Sequence, residues 1–295
     1  MDIAYFLELL INGSLTGLMY SLVALGVVLI YKSSGVPNLA QGAMVMLAGF
    51  LTWWLAGLLG LPLIVAVVIA GAVMFGFGML AERLLLRRMV GQPIIMIVML
   101  TLGLEIFLRG LVPGVLGAAP KPLDIGIPLT PIIIGDIFIN RAYLWGAAVA
   151  VILVALSLAF FQTRLGTKLR AASDDHVAAW SVGISVERAI AVSWGLAGLS
   201  ALAGGVIWGS VQGVDWTLST LLFPAIAVVI LGGLDSVIGV VVAGIIVGVL
   251  GSVIPGYVDP IVGGGTRDVV TSLVILLTII FRPHGMFGRE DIERV

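Results

Sequence analysis

Apolar residues run along this chain in blocks too long for a soluble core, broken at intervals by polar punctuation. The blocks lie near Leu15–Tyr31, Gln41–Leu58, Leu63–Leu80, Ile94–Val112, Leu144–Phe161, Ala189–Trp208, Phe223–Leu231, Val237–Ile254 and Val269–Phe281. A helix crossing a hydrocarbon core of ~30 Å needs roughly 17–25 such residues, so each block predicts a crossing, Phe223–Leu231 being short for one. The segment before Leu15 carries Asp2, Glu8 and Asn12 and predicts an interfacial stretch. The pattern as a whole predicts an all-α polytopic membrane protein. It is a single multi-helix bundle of about eight or nine transmembrane helices over residues 1–295.

The punctuation carries its own information. Leu15 to Leu58 spans about 44 residues, or roughly 66 Å as helix, twice the core thickness. Two crossings must be separated by "SSGVPNLAQGA", Ser33 to Ala43. Pro37 suits the first position of the second helix, because its missing N–H would be unpaired there anyway. That would leave free N–H groups near Asn38 to Ala40. Asn38 and Gln41, three apart, share a helical face. Together with Tyr20 and Gly42 they offer an uncharged polar border to a solute path, the alternative being a plain turn. A second break, "LGGLDSVIG", Leu231 to Gly239, has the same character. It predicts a helix starting at Val237, capped near Asp235, with Ser236 bordering the path. Transporters often use such interrupted helices.

Small residues recur at four-residue spacing. Ala197, Ala201 and Gly205 form one set and Gly244 and Gly248 another. Such spacing lets helix backbones approach closely in lipid, and it predicts a compact bundle with a second copy or a homologue beside it. Glu105 and Arg109 stand at i and i+4 in one span and predict an internal ion pair.

Lys and Arg orient the bundle. Of the 15 cations, Lys32, Arg83, Arg87, Arg88, Arg164, Lys168, Arg170, Arg188, Arg282, Arg289 and Arg294 fall on one side. Arg109, Lys121, Arg141 and Arg267 fall on the other. The C-terminus and the loop at about 163–188 are therefore expected in the cytoplasm, the N-terminus outside. The loop at about 113–140 is then external. Its "AAPKPLDIGIPLTP" excludes helix and predicts an ordered cap or hairpin able to receive a soluble partner, the alternative being a mere connector.

The cytoplasmic stretch Thr163 to Trp194 looks deliberately built. Ser173 reads as an N-cap, with Asp174 and Asp175 in the first turn where the helix dipole favours anions. Gly183 reads as the stop, and Ser185 as the cap of the next membrane helix. This predicts a short helix, Asp174 to Val182, that includes His176 and Trp180. Two carboxylates argue against its resting on anionic headgroups. A capped helix standing off the membrane suits docking to a cytoplasmic motor.

Composition narrows the classes. The chain is 60% hydrophobic and 11% charged, where soluble domains carry about 25% charged residues, and its mean hydropathy is +1.21. A net charge of −1 gives no basis for a nucleic-acid partner. With no cysteine there is no thiolate metal site or thiol nucleophile, and both histidines, His176 and His284, lie in the predicted cytoplasmic segments. No metal site is expected. Nor does any stretch fit GxxxxGK[ST], so no ATP site is expected on this chain. The N-terminus lacks a cleavage-site pattern, so no removable signal peptide is expected.

Three blocks, in order, carry a family resemblance. They are Gly17 to Phe50, with the core Asn38 to Gly42; Arg170 to Gly205; and Phe223 to Leu250, followed by "FRPHGMFG", Phe281 to Gly288. Together they resemble the first of the two permease types of branched-chain amino acid ABC importers, and cover over half the chain. The resemblance implies a bundle like that of type II ABC importer permeases, in a bacterial inner membrane. It implies a second homologous permease subunit, two ATP-binding subunits on the cytoplasmic face and an external solute-binding protein. ATP would be bound by the partners, with no cofactor here and no enzyme activity in this chain. The segment with Ser173, Asp174, Asp175, His176, Trp180 and Gly183 would couple to an ATPase. Gln41 stands where many members have His, Pro37 precedes Asn38 where members often carry a bulky aliphatic, and "SDDH" replaces a more usual Ala- and Glu/Asn-rich run. These departures leave urea, short amides and aromatic or carboxylic acids as alternative cargoes. From other classes, a stand-alone channel or ion-coupled carrier would require more buried carboxylates. An intramembrane enzyme would require a catalytic cluster at depth.

Overall fold

A computed structural model describes residues 3–89, 92–128, 130–174 and 176–288. Helix α1 (Ile3–Ser34) is followed by α2 (Gln41–Trp53), which continues into a π-helical turn to Leu58, and then by α3 (Leu63–Leu84) and α4 (Ile94–Leu116). A hairpin of β1 (Ile132–Ile134) and β2 (Ile137–Ile139) precedes α5 (Arg141–Gln162), α6 (Arg164–Asp174) and α7 (His176–Ser181). The chain then forms α8 (Val186–Gln212), a 3₁₀ turn (Trp216–Leu221), α9 (Leu222–Gly232), α10 (Val237–Val262) and α11 (Thr266–Phe281).

Every block of the hydrophobic pattern is helical. Among the described residues, seven helices are long and apolar enough to cross a membrane. Helix α9 has 11 residues and reaches about 16 Å, half a hydrocarbon core; α11 has 16 residues. The segment before Leu15 is not a separate interfacial piece but the first three turns of α1. Its polar residues pin the hairpin: Phe138 N–H donates to Glu8 (3.1 Å), Asn12 Nδ2 donates to the Phe138 carbonyl (2.7 Å), and Asn140 N–H donates to Asn12 Oδ1 (3.2 Å). The predicted hairpin thus exists, while α4 runs through Pro113 to Leu116 before Gly117, at φ +89°, ends it.

The bundle is built around α1, α2 and α8. Residues 19–30 of α1 are buried almost without exception, as is most of α2. Outside them α3, α4, α5 and α11 expose Ile64, Val68, Ile106, Phe107, Ile152, Leu156 and Ile280, a greasy exterior that only lipid or a partner's membrane face can solvate. The small residues sit at the helix contacts. Antiparallel α1 and α10 touch through Gly13 and Gly17 against Gly244 and Gly248, where an added Cβ would strike backbone. Gly78 on α3 likewise meets the Trp194 carbonyl on α8, and Gly205 on α8 meets the Val45 carbonyl on α2. The Gly244–Gly248 pair is therefore used inside the chain and does not await a second copy.

Helix directions sort the charges by end. Lys32 at the end of α1 donates to the Asp235 carbonyl (3.2 Å) and lies over the Phe161 ring (4.7 Å) beside α6. The α3/α8 contacts bring Arg83, Arg87 and Arg88 to this same end. Helices α6 and α7 and the tail 282–288 are there as well. Lys121, Arg141, Arg267 and the hairpin occupy the opposite end. Among the described residues, the two groups of cations read from the sequence are thus physically separated.

Candidate functional site

At the end away from α6 and α7, a cavity of about 570 Å³ opens between α1, α8, the 3₁₀ turn, α9 and α11. Small-molecule sites are commonly ~300–1,000 Å³. Tyr20 and Trp208 form its floor as a stacked pair, centroids 5.1 Å apart and planes at 16°, and Trp208 Nε1 donates to the Met19 carbonyl (3.4 Å). The walls combine Gln212, Thr217 and Thr220 with Leu221, Phe223 and Pro224. Asp215 caps the 3₁₀ turn by accepting from Thr217 N–H (2.9 Å) and so fixes the polar wall. Helix α11 adds Arg267, Asp268, Thr271, Ser272 and Ile275. Arg267 Nε donates to the Gly251 carbonyl of α10 (3.0 Å), which holds the guanidinium against this bundle end, where it interacts with the Tyr20 hydroxyl.

Of the five residues predicted for the solute path, Tyr20 is the one that lines this cavity. Asn38, Gln41 and Gly42 are gathered into a sealed seam. Helix α1 ends at Gly35, whose N–H donates to the Tyr31 carbonyl (2.8 Å) at φ +70°. The chain then turns back into the bundle, so that Gln41 lies against Gly26, eight residues or about 12 Å before the end of α1. Pro37 is not a first helical position, since α2 begins only at Gln41. The N–H groups expected to be free are taken: Leu39 N–H by Thr101 Oγ1 (3.2 Å) and Ala40 N–H by Asn38 Oδ1 (3.0 Å). Asn38 and Gln41 are fully buried. Gln41 Nε2 donates to the Ala197 carbonyl (3.1 Å), and Asn38 Nδ2 donates to Gln41 Oε1 (3.4 Å). Gly42 packs against the Ser219 carbonyl of the 3₁₀ turn. Uncharged polar groups therefore cross this seam with their needs met internally.

Ser236 lies at the far end. It, and not Asp235, caps α10, its Oγ accepting from Gly239 N–H (3.0 Å). The chain's last described stretch folds back here: Met286 N–H donates to the Leu231 carbonyl (2.8 Å) and Phe287 N–H to the Gly232 carbonyl (3.1 Å).

The coupling segment differs from the expected single helix. Ser173 is inside α6 and Asp174 ends it, so Ser173 is not an N-cap. Thr163 starts α6, its Oγ1 accepting from Gly166 N–H (3.2 Å). The sequence reading starts its helix only at Asp174; Leu165 and Leu169, four residues apart, were the available sign of an earlier one. Helix α7 is His176–Ser181. Its stop at Gly183 stands, with φ +79° and Ile184 N–H donating to the Ala179 carbonyl (3.0 Å). Ser185 precedes α8 in the cap position without a side-chain bond. Asp175 lies outside the described residues, as do the side chains of Ser173, Asp174, His176 and Trp180. Glu105 and Arg109 form the expected pair, at 3.5 Å.

Arg267 and Asp268, like Trp208, Gln212, Thr217 and Thr220, are cavity residues that the sequence reading did not place on the path. Two opposite charges opening an apolar helix after three glycines were the signal.

The family model described as "Branched-chain amino acid transport system / permease component" matches residues 9–281. The high-affinity branched-chain amino acid transport system permease protein BraD of Pseudomonas aeruginosa is 25% identical, over 100% of this chain and 99% of its own. A probable branched-chain amino acid transport permease protein, LivH, of Methanocaldococcus jannaschii is 28% identical, over 90% of this chain and 88% of its own. The solved structure of PsaBC from Streptococcus pneumoniae in complex with Fab covers 97% of this chain and 95% of its own at 15% identity, with a TM-score of 0.48, too loose a likeness to carry an argument.

Proposed function

The chain belongs to the family of branched-chain amino acid transport permeases, of the LivH type, and from that membership we propose that it is the membrane-crossing subunit of an ATP-driven importer in a bacterial inner membrane. Its cargo is a small polar solute, branched-chain or other amino acids first. The observation that carries the reading is the pairing of an open cavity of mixed polar and apolar walls at one bundle end with a sealed polar seam further along the same helices. A path that is open on one side and closed beyond is what alternating access requires.

Tyr20 then belongs to the outer vestibule. Asn38, Gln41 and Gly42 form the closed constriction, and Ser236 the inner exit. The cation-rich end faces the cytoplasm, with the C-terminus inside and the N-terminus outside. The α6–α7 segment, with Ser173, Asp174, Asp175, His176, Trp180 and Gly183, meets an ATPase subunit, one of two that bind the ATP. The opposite end, with the 132–139 hairpin, meets an external solute-binding protein. A second, related permease covers the cavity rim, where Trp216 and Phe223 are about half exposed (49% and 60%).

Co-purification tests the reading. The tagged chain, expressed with the genes of its own transport system and extracted in mild detergent, is expected to bring down two ATPase copies and a second permease. Recovery of the chain without any ATPase overturns the assignment.

A further inference from the structure

We propose that Arg267 and Asp268 recognise the two charged ends of a zwitterion in the Tyr20–Trp208 cavity, so that this permease itself selects α-amino acids. The proposal rests on the cavity being part of the solute path. Glu105 pairs with Arg109 at 3.5 Å and Glu82 with Arg87 at 3.6 Å, each about a helical turn apart. Arg267 and Asp268 are adjacent in sequence, of opposite sign and on one cavity wall. Among the described residues, neither takes part in a salt bridge, with the other or with any third group.

Arg267 is anchored through Nε to the Gly251 carbonyl and its guanidinium also engages the Tyr20 hydroxyl, so its fork is positioned at the cavity wall with N–H donors beyond those two contacts to offer a carboxylate. Asp268, in the first turn of α11, supplies the acceptor for an ammonium. Phe223 and Ile275 on the same walls suit an aliphatic side chain. A dipolar ion satisfies both charges at once; urea or a simple amide satisfies neither, and either singly charged analogue strands one of them. The purely structural alternative is that Asp268 favours the helix start and Arg267 ties α11 to α10.

The test is direct binding to the purified permease without its external binding protein, since that protein would impose its own selectivity. Saturation-transfer NMR in detergent micelles compares L-leucine with leucinamide, which lacks the carboxylate, and 4-methylpentanoate, which lacks the ammonium. Leucine is expected to bind about tenfold or more tightly than either, the size of one lost charge-assisted hydrogen bond. Equal binding of all three by the unaltered protein overturns the proposal without any variant.

Arg267→Gln is expected to abolish the preference over leucinamide, and Asp268→Asn the preference over 4-methylpentanoate. Loss that is uniform across ligands, with lowered thermal stability and no change in preference, assigns the pair a structural role and also overturns it. Co-purification of the ATPase subunits is scored separately: their presence without ligand discrimination leaves the importer reading standing and removes this one.

Discussion

Gly26 and Gln41 form one fitting shared between two helices. The absence of a side chain at Gly26 gives the Gln41 amide its space, and a Cβ there would collide with Nε2. Gly26→Ala is therefore expected to push Gln41 off the Ala197 carbonyl, 3.1 Å away. A buried donor left unpaired costs about 1–3 kcal/mol, read as a lower unfolding temperature in detergent. Gln41→Ala in the same chain removes both the clash and the stranded amide and should recover part of the loss. Strictly additive losses would mean the two residues do not interact. The polarity of Asn38 and Gln41 was legible in the sequence, as was their common face. What they touch was not, because Ala197 lies 156 residues from Gln41 and no local pattern encodes that meeting. For the same reason Tyr20 could be named, while Trp208, stacked on it from another helix, could not.

Among the elements, the α1–α10 contact is the tightest test of how the bundle holds. At Gly17 the obstacle to a larger residue is the backbone of Gly244, which cannot swing aside. Gly17→Leu is expected to separate the two helices and lower stability by more than the ~1–3 kcal/mol of ordinary overpacking. Gly76→Leu on the exposed face of α3, with open space around it, should be nearly neutral in the same thermal-unfolding assay. The tail offers a second test. Ending the chain after Phe281 frees the carbonyls of Leu231 and Gly232 that Met286 and Phe287 now occupy. Hydrogen exchange over 231–236 should rise, with little change in α1 or α8; an unchanged exchange rate would show that the fold-back does not brace this turn. Apolar runs predicted every membrane helix because burial in lipid is written directly in composition. Helix α6 escaped because its partners are the ends of α1, α5 and α8, and its own surface is basic. Pro37 misled for a related reason: it suits a helix start in isolation, but the Asn38 side chain organises a turn that delays the helix to Gln41.

For the whole molecule, the two ends divide the labour and α1 and α8 join them. Tyr20 and Trp208 belong to those helices at the cavity end, while α6 packs against both, and α7 against α8, at the other. A push on the α6–α7 segment is thus delivered to the very helices that floor the cavity. Asp174, the last residue of α6, and Asp175 after it are the two charges proposed to meet the motor. Reversing them together, Asp174→Lys with Asp175→Lys, is expected to reduce solute uptake by the assembled importer to near background. Unfolding temperature should stay within about a degree of the parent, because surface charges away from buried pairs contribute within ±0.5 kcal/mol. Leucine binding to the cavity should also survive, since that site is at the opposite end. Unchanged uptake would remove this segment from the coupling path; loss of folding or of cavity binding would show that the charges serve the bundle and not the motor.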